Sequence, residues 1–176
     1  MTAWLVKTEP GTYGYADLER DRTTHWDGVT NAQAQLNMRA MAVGDVVVVY
    51  HSQTDKAAVG LAEVVTAPYP DPTDPAGKRV WVDIRADRRL DRLVTLTELK
   101  ADPTFATSLL VRQSRLSVVR LDDDQLAVIE RLGAADAILS AREVVARQAQ
   151  GAAVEPTEDD PDDQPVEGAD PVVDDR

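Results

Sequence analysis

Five consecutive apolar residues, Val46–Tyr50 (VVVVY), follow the turn signal Val43-Gly44-Asp45 and constrain the fold more than any other stretch. Successive strand residues point to opposite faces of a sheet, so an uninterrupted apolar run needs cover on both sides. The run reads as a buried central strand, and the rest of the chain must supply its flanks. Short strand patterns occur at Trp4–Lys7, Val59–Val65, Val80–Ile84 continuing toward Leu90, and Arg115–Leu121. Between them lie a helical turn at Tyr15–Arg20 and a helix over Asn31–Met41. That helix takes Thr30 or Asn31 as N-cap and turns Ala34, Met38 and Met41 to one face. A short helix at Leu96–Lys100 follows a Thr cap, and Asp122–Leu132 has an acidic first turn with Gly133 past its end. The strands lie too close together for a doubly wound sheet, which predicts an α+β fold, a mixed and curled β barrel flanked by short helices.

The net charge of −12 is unevenly spread: residues 151–176 hold ten acids and one Arg, so they carry −9 and the first 150 residues only −3. The acidic, Pro-rich end has no aromatic residue and too little apolar surface to offset chain entropy, which predicts a disordered tail. An Ala-rich segment before it, residues 134–150, predicts an extra helix. The near-neutral body argues against gripping a long phosphate backbone and is compatible with a pocket that reads one nucleotide. Cys is absent, which removes disulfides and thiolate chemistry and is compatible with a cytoplasmic protein. The opening MTAWLVKTEP has no cleavable-leader pattern, and no run approaches the ~18 apolar residues of a membrane span.

Three clusters carry chemical possibilities. In residues 26–41, Trp26 precedes the turn pair Asp27-Gly28, and a helix starts at Asn31 and Gln33. Trp26 offers a flat wall and Asn31 an amide suited to a base edge, although a capped helix beside a core Trp gives the same pattern. Tyr50-His51-Ser52 ends the central strand. Its His–Ser pair lacks a GxSxG elbow, and neighbours on a strand face opposite ways, so a catalytic triad is a weak reading. In residues 109–121, Arg112 and Arg115 flank Gln113, a set suited to phosphate and base edges, or to simple pairing with surface acids. Arg88, Arg89 and Arg92 form another basic group, best read as a solvated strand face. With two His, no Cys and no metal-ligand spacing, no metal or other cofactor is expected.

The blocks WLVKTEP (4–10), TTHWDGVTNAQAQLNMRAMAVGD (23–45), VVVYHS (47–52), GLAEVV (60–65), PYPDPT (68–73), WVDI (81–84) and LLVRQSRLSV (109–118) fall in order along the chain. Together they resemble the EVE domain over roughly residues 2–132. The resemblance implies a PUA-like pseudo-barrel flanked by helices, a relative of the YTH readers of methylated adenine. It further implies a non-enzymatic module binding a modified base, such as methylated or hydroxymethylated cytosine, in DNA or RNA. By motif match, its pocket would draw on Trp26, Gly28, Val29 and Asn31, on His51 and Ser52, and on Gln113, Arg115, Leu116 and Ser117. Lys7 and Glu9 would lie nearby. The chain departs from the family pattern WDGVRNYQAR with Thr30, Ala32 and Gln35, which removes two cations and one aromatic. Thr8 stands where many members have Ser.

The expected organisation is therefore an EVE domain over residues 1–133, a helical extension over 134–150 and an acidic tail over 151–176. Two competing readings remain: an enzyme using His51, Asp27 or Glu9, and a protein-interaction module working through the tail.

Overall fold

The computed structural model describes residues 1–135. The expected extension beyond Ala135 and the expected disordered tail lie outside these residues. Among the described residues there are seven strands: β1 (Ala3–Thr8), β2 (Thr23–Trp26), β3 (Val46–His51), β4 (Ala57–Val64), β5 (Tyr69–Pro70), β6 (Val80–Thr95) and β7 (Val118–Leu121). The helices are α1 (Pro10–Tyr13), α2 (Tyr15–Asp21), α3 (Ala32–Arg39), α4 (Leu96–Ala101), α5 (Leu109–Arg112) and α6 (Asp123–Gly133), with a 3-10 turn at Pro103–Phe105.

The VVVVY run is central, as its pattern requires. Strand β3 pairs in parallel with β1 (Val6 beside Val49, Lys7 beside Tyr50) and antiparallel with β4, and Val47, Val48 and Val49 are buried. Burying such a valine is worth roughly 1.5–3 kcal/mol, so this strand anchors the core together with Leu5, Ile84, Phe105 and Ile129. The turn before it is fastened by the buried Asp45. Its carboxylate accepts the backbone N–H of Thr2 (2.9 Å), the Trp4 indole N–H (2.9 Å) and the Ala42 N–H (3.0 Å).

The sheet is open, which corrects the expected pseudo-barrel. Its strand order is β2-β6-β4-β3-β1-β7, with β5 on β6, and the end strands β2 and β7 do not pair with each other. Both are four residues long. Helix α3 packs against both β6 and β7 and serves polar groups on each. Asn37 donates to the Val118 carbonyl on β7 (2.8 Å), and Gln35 accepts the Val80 N–H on β6 (2.8 Å). The Asn37 amide thus takes a backbone carbonyl of the end strand β7 that a closing strand would otherwise have used.

Strand β6 runs to Thr95, five residues beyond the expected Leu90. Its arginines are matched to acids on neighbouring elements: Arg85 to Glu63 (2.7 Å), Arg88 to Glu130 (2.7 Å), Arg92 to Glu98 (2.7 Å), and Arg89 to Glu19. The basic group read from the sequence is a neutralised strand face. Strand β7 begins at Val118, so Arg115, Leu116 and Ser117 belong to the turn ahead of it and not to the expected strand.

Candidate functional site

Four segments converge on one cavity of about 230 Å³, lined by Lys7 and Thr8 from β1, Thr12 and Tyr13 from α1, His25–Val29, and Ser117. The convergence follows from the topology. The end of β1 meets the residues before β7 through a hydrogen bond from Lys7 N–H to the Ser117 carbonyl (2.8 Å). Thr8 Oγ1 donates to the Tyr13 carbonyl (2.7 Å), which brings α1 over the strand end. Trp26 closes β2 and is buried, with Val29 buried beside it. Gly28 between them has φ +69°, a left-handed conformation that disfavours any side chain.

The loop is held from behind by Gln35. This buried amide donates to the Val29 carbonyl (2.8 Å) and accepts the Val80 N–H (2.8 Å), tying the cavity wall to β6. Asn31 caps α3 by accepting the Ala34 N–H at 3.0 Å on Oδ1. Its Nδ2 has no partner among the described residues, so the amide keeps a free donor while its oxygen is committed.

A second depression of about 370 Å³ adjoins the first along both chain segments. Asn31 and Gln33 line it from one side, and Arg112, Gln113, Ser114, Arg115 and Leu116 from the other. Arg112 and Arg115 are exposed and make no ion pair among the described residues. Leu116 is buried and anchors the turn. Lys7 is half-buried, its ammonium donates to the Ser114 carbonyl (2.9 Å), and burial lowers its pKa. The structure therefore brings together Lys7, Trp26, Gly28, Val29, Asn31, Gln113, Arg115, Leu116 and Ser117.

It does not bring His51, Ser52 and Glu9 to that wall. His51 Nε2 accepts the Tyr15 N–H (3.0 Å), which leaves the ring proton on Nδ1, facing Asp55 Oδ2 at 2.7 Å. Both nitrogens are used to hold α2 and the turn after β3, so the imidazole has no lone pair for a substrate. Ser52 Oγ donates to the Thr8 carbonyl (3.1 Å), and Glu9 accepts from Gln53 Nε2 (3.0 Å) at the surface. Among the described residues, no group of three or more His, Asp or Glu is placed to hold a metal ion. No described helix is long and apolar enough to cross a membrane.

The EVE domain profile matches residues 2–132. The chain belongs to the EVE domain family. Thymocyte nuclear protein 1 of Rattus norvegicus is 33% identical over 168 residues, 76% of this chain and 74% of the rat protein. The match to the human protein covers 55% of its length. Among solved structures, a Rhodopseudomonas palustris protein is 40% identical with a TM-score of 0.72, covering 76% of this chain and 93% of that one. Human THYN1, crystallised in complex with 5-methylcytosine-containing DNA, is 28% identical with a TM-score of 0.69, covering 76% and 98%.

Within this EVE domain the departures from the family pattern sort by place. Gln35 is buried and structural, so position 35 supplies no ligand contact. Thr30 and Ala32 are exposed and line neither depression. Sequence reasoning missed Tyr13 and His25. Tyr13 donates to Asp21 Oδ2 (3.1 Å), and His25 stacks on Trp81 with ring centroids 4.4 Å apart and planes 14° from parallel. Both are aromatic and both line the cavity, a signal available in PGTYGY and TTHW had the strand at 23–26 been recognised.

Proposed function

We propose that this EVE domain is a non-enzymatic reader that takes a single modified base, 5-methylcytosine or a close analogue, from DNA into the cavity beside Trp26. The observation that carries the reading is the convergence of Lys7, Tyr13, His25, Trp26 and Ser117 on one space of about 230 Å³. Sites for drug-sized ligands run to about 300–1,000 Å³, so this one suits a base and not a longer ligand. A base presents two flat faces and a polar edge. Aromatic side chains serve the faces, with stacking worth ~1–3 kcal/mol, and a few amides and hydroxyls serve the edge. The likeness to human THYN1, a structure with 5-methylcytosine-containing DNA, supports the choice of base and of nucleic acid. The committed nitrogens of His51 argue against hydrolysis through that residue.

Titration of the protein with short oligonucleotides carrying cytosine, 5-methylcytosine or 5-hydroxymethylcytosine tests the reading. Asn31 lines the adjoining depression, where Asn31→Asp keeps the capping oxygen, removes the unpartnered amide donor and adds a negative charge, so we expect unchanged melting and affinity for the oligonucleotide lowered about tenfold, the scale of one hydrogen bond. Equal binding to all three oligonucleotides, or binding to none, would reject the reader.

A further inference from the structure

A separate cavity of about 170 Å³ lies on the other side of the Lys7 side chain, lined by Lys7, Tyr50, Ser52, Gln53, Lys56, Leu96, Leu110 and Ser114. Lys7 and Tyr50 are register partners on β1 and β3, so their side chains leave the same face of the sheet. Three observations set this cavity apart. Tyr50 is only 4% exposed, yet its hydroxyl has no hydrogen-bond partner among the described residues. No fully enclosed side-chain oxygen is left unpartnered there, so the hydroxyl reaches open space, and the space Tyr50 lines is this one. Lys7 is half-buried with no carboxylate partner and spends one of its three N–H donors on the Ser114 carbonyl. Finally, Lys56 stands at the rim, and no Asp or Glu lines the cavity.

A half-buried ammonium without a counterion beside an accessible hydroxyl that has no protein partner presents several N–H and O–H donors to one space, the setting that an acceptor-rich anion fits. The arginines of β6 show the contrast, because Arg85, Arg88, Arg89 and Arg92 all meet carboxylates. The size excludes a base with its sugar and admits a tetrahedral anion. Burial pushes the Tyr50 hydroxyl up to about 12, so it remains a donor at neutral pH.

We propose that this cavity is a phosphate subsite, in which Tyr50 Oη, Lys7 Nζ and Lys56 Nζ hold the backbone phosphate next to the base read beside Trp26. The assignment of the phosphate to nucleic acid rests on the reader function, whereas the anion site itself rests on the cavity. Lys7 lines both cavities and so couples the base to its phosphate.

The test uses the full chain with isotope-labelled tyrosine rings and lysine side chains, followed by NMR. Inorganic phosphate is expected to shift the Tyr50 and Lys7 signals saturably, and Tyr50→Phe to abolish the Lys7 response while leaving the melting temperature near that of the parent. In binding assays, 5-methyl-2′-deoxycytidine monophosphate is expected to bind about tenfold more tightly than the nucleoside, a gap that Tyr50→Phe closes. Nucleoside binding with no gain from the phosphate and silent Tyr50 signals would overturn the subsite and leave the base reader standing. Phosphate shifts at Tyr50 without any nucleoside or oligonucleotide binding would uphold the anion site and reject its assignment to nucleic acid. A Lys7 response that survives Tyr50→Phe would also overturn the proposal, because the ion would then sit on the lysine alone.

Discussion

Replacing Gln35 with leucine tests whether the cavity wall is held by one amide. Gln35 is 5% exposed; its Nε2 donates to the Val29 carbonyl at 2.8 Å and its Oε1 accepts the Val80 N–H at 2.8 Å. Leucine fills nearly the same space and offers neither group, so a buried carbonyl and a partly buried N–H lose their partners. Each unsatisfied backbone group costs about 1–3 kcal/mol, and the added apolar burial returns about 1 kcal/mol. The expected net loss is therefore about 1–5 kcal/mol. With a urea slope of about 2 kcal/mol per molar, the unfolding midpoint should fall by about 0.5–2.5 M. Because the Val29 end of the tether is the cavity wall, affinity for a modified nucleoside should fall by about tenfold under conditions where the variant is still folded. A midpoint change below about 0.3 M would refute the tether, since Val29 and Val80 would then have found partners elsewhere. A full stability loss with unchanged affinity would refute the link between the tether and the cavity.

Two further perturbations probe the frame around the site. A methyl group added at Gly60 would collide with the Tyr15 ring, which is itself buried and bonded through its hydroxyl to the Leu61 carbonyl at 2.6 Å. Gly60→Ala should cost about 3 kcal/mol in thermal or urea unfolding, and Tyr15→Leu in the same chain should recover part of that loss. Asp45 is the second case: burial pushes its carboxyl up, but the donors from Trp4, Thr2 and Ala42 outweigh this, and its pKa lies below the usual carboxylate value. The stability it contributes is present above the unfolded-state pKa near 4 and is lost as pH falls through the lower folded value. Asp45→Asn should be less stable by about 2–4 kcal/mol at pH 7 and should show a shallower fall in stability between about pH 5 and pH 2.

The strands and capped helices with strong local signals were legible in the sequence. The VVVVY run could only be central, Thr30 or Asn31 marked the start of α3, with Asn31 the cap in the structure, and Thr95 and Asp122 marked α4 and α6. The four-residue strand β2 was not legible, because Thr23–Trp26 carries two Thr and a His on a mostly exposed ribbon and is defined by its pairing to β6. With it went His25 as a cavity residue. Openness of the sheet was equally hidden: strand alternation is the same in an open sheet and in a barrel, and closure depends on what meets the end strands. Here Asn37 of α3 meets β7, and Gln35 meets β6, the strand that carries β2. His51 and Ser52 were picked out correctly as polar residues at the end of a buried strand. Their neighbours in space, Tyr15, Asp55 and Thr8, decide that they brace the fold, and sequence order cannot supply those neighbours.

The placement of charge then explains how a chain this acidic can suit a nucleic-acid ligand. On β6, four arginines are each held by a glutamate, so that face projects little net field. Around the two depressions and the Tyr50 cavity, Lys7, Lys56, Arg112 and Arg115 make no ion pair among the described residues. These four cations are unpaired where a nucleotide would enter, whereas those of the β6 face are neutralised. Four charges spread over three small recesses match one nucleotide and its adjoining phosphates, whereas tight backbone binders use 6–10 phosphate contacts or more. Affinity must then come mainly from what fills the cavity beside Trp26. A methyl group on the base gains most in that arrangement, because the wall it would touch, Trp26 and Val29, is apolar and already desolvated.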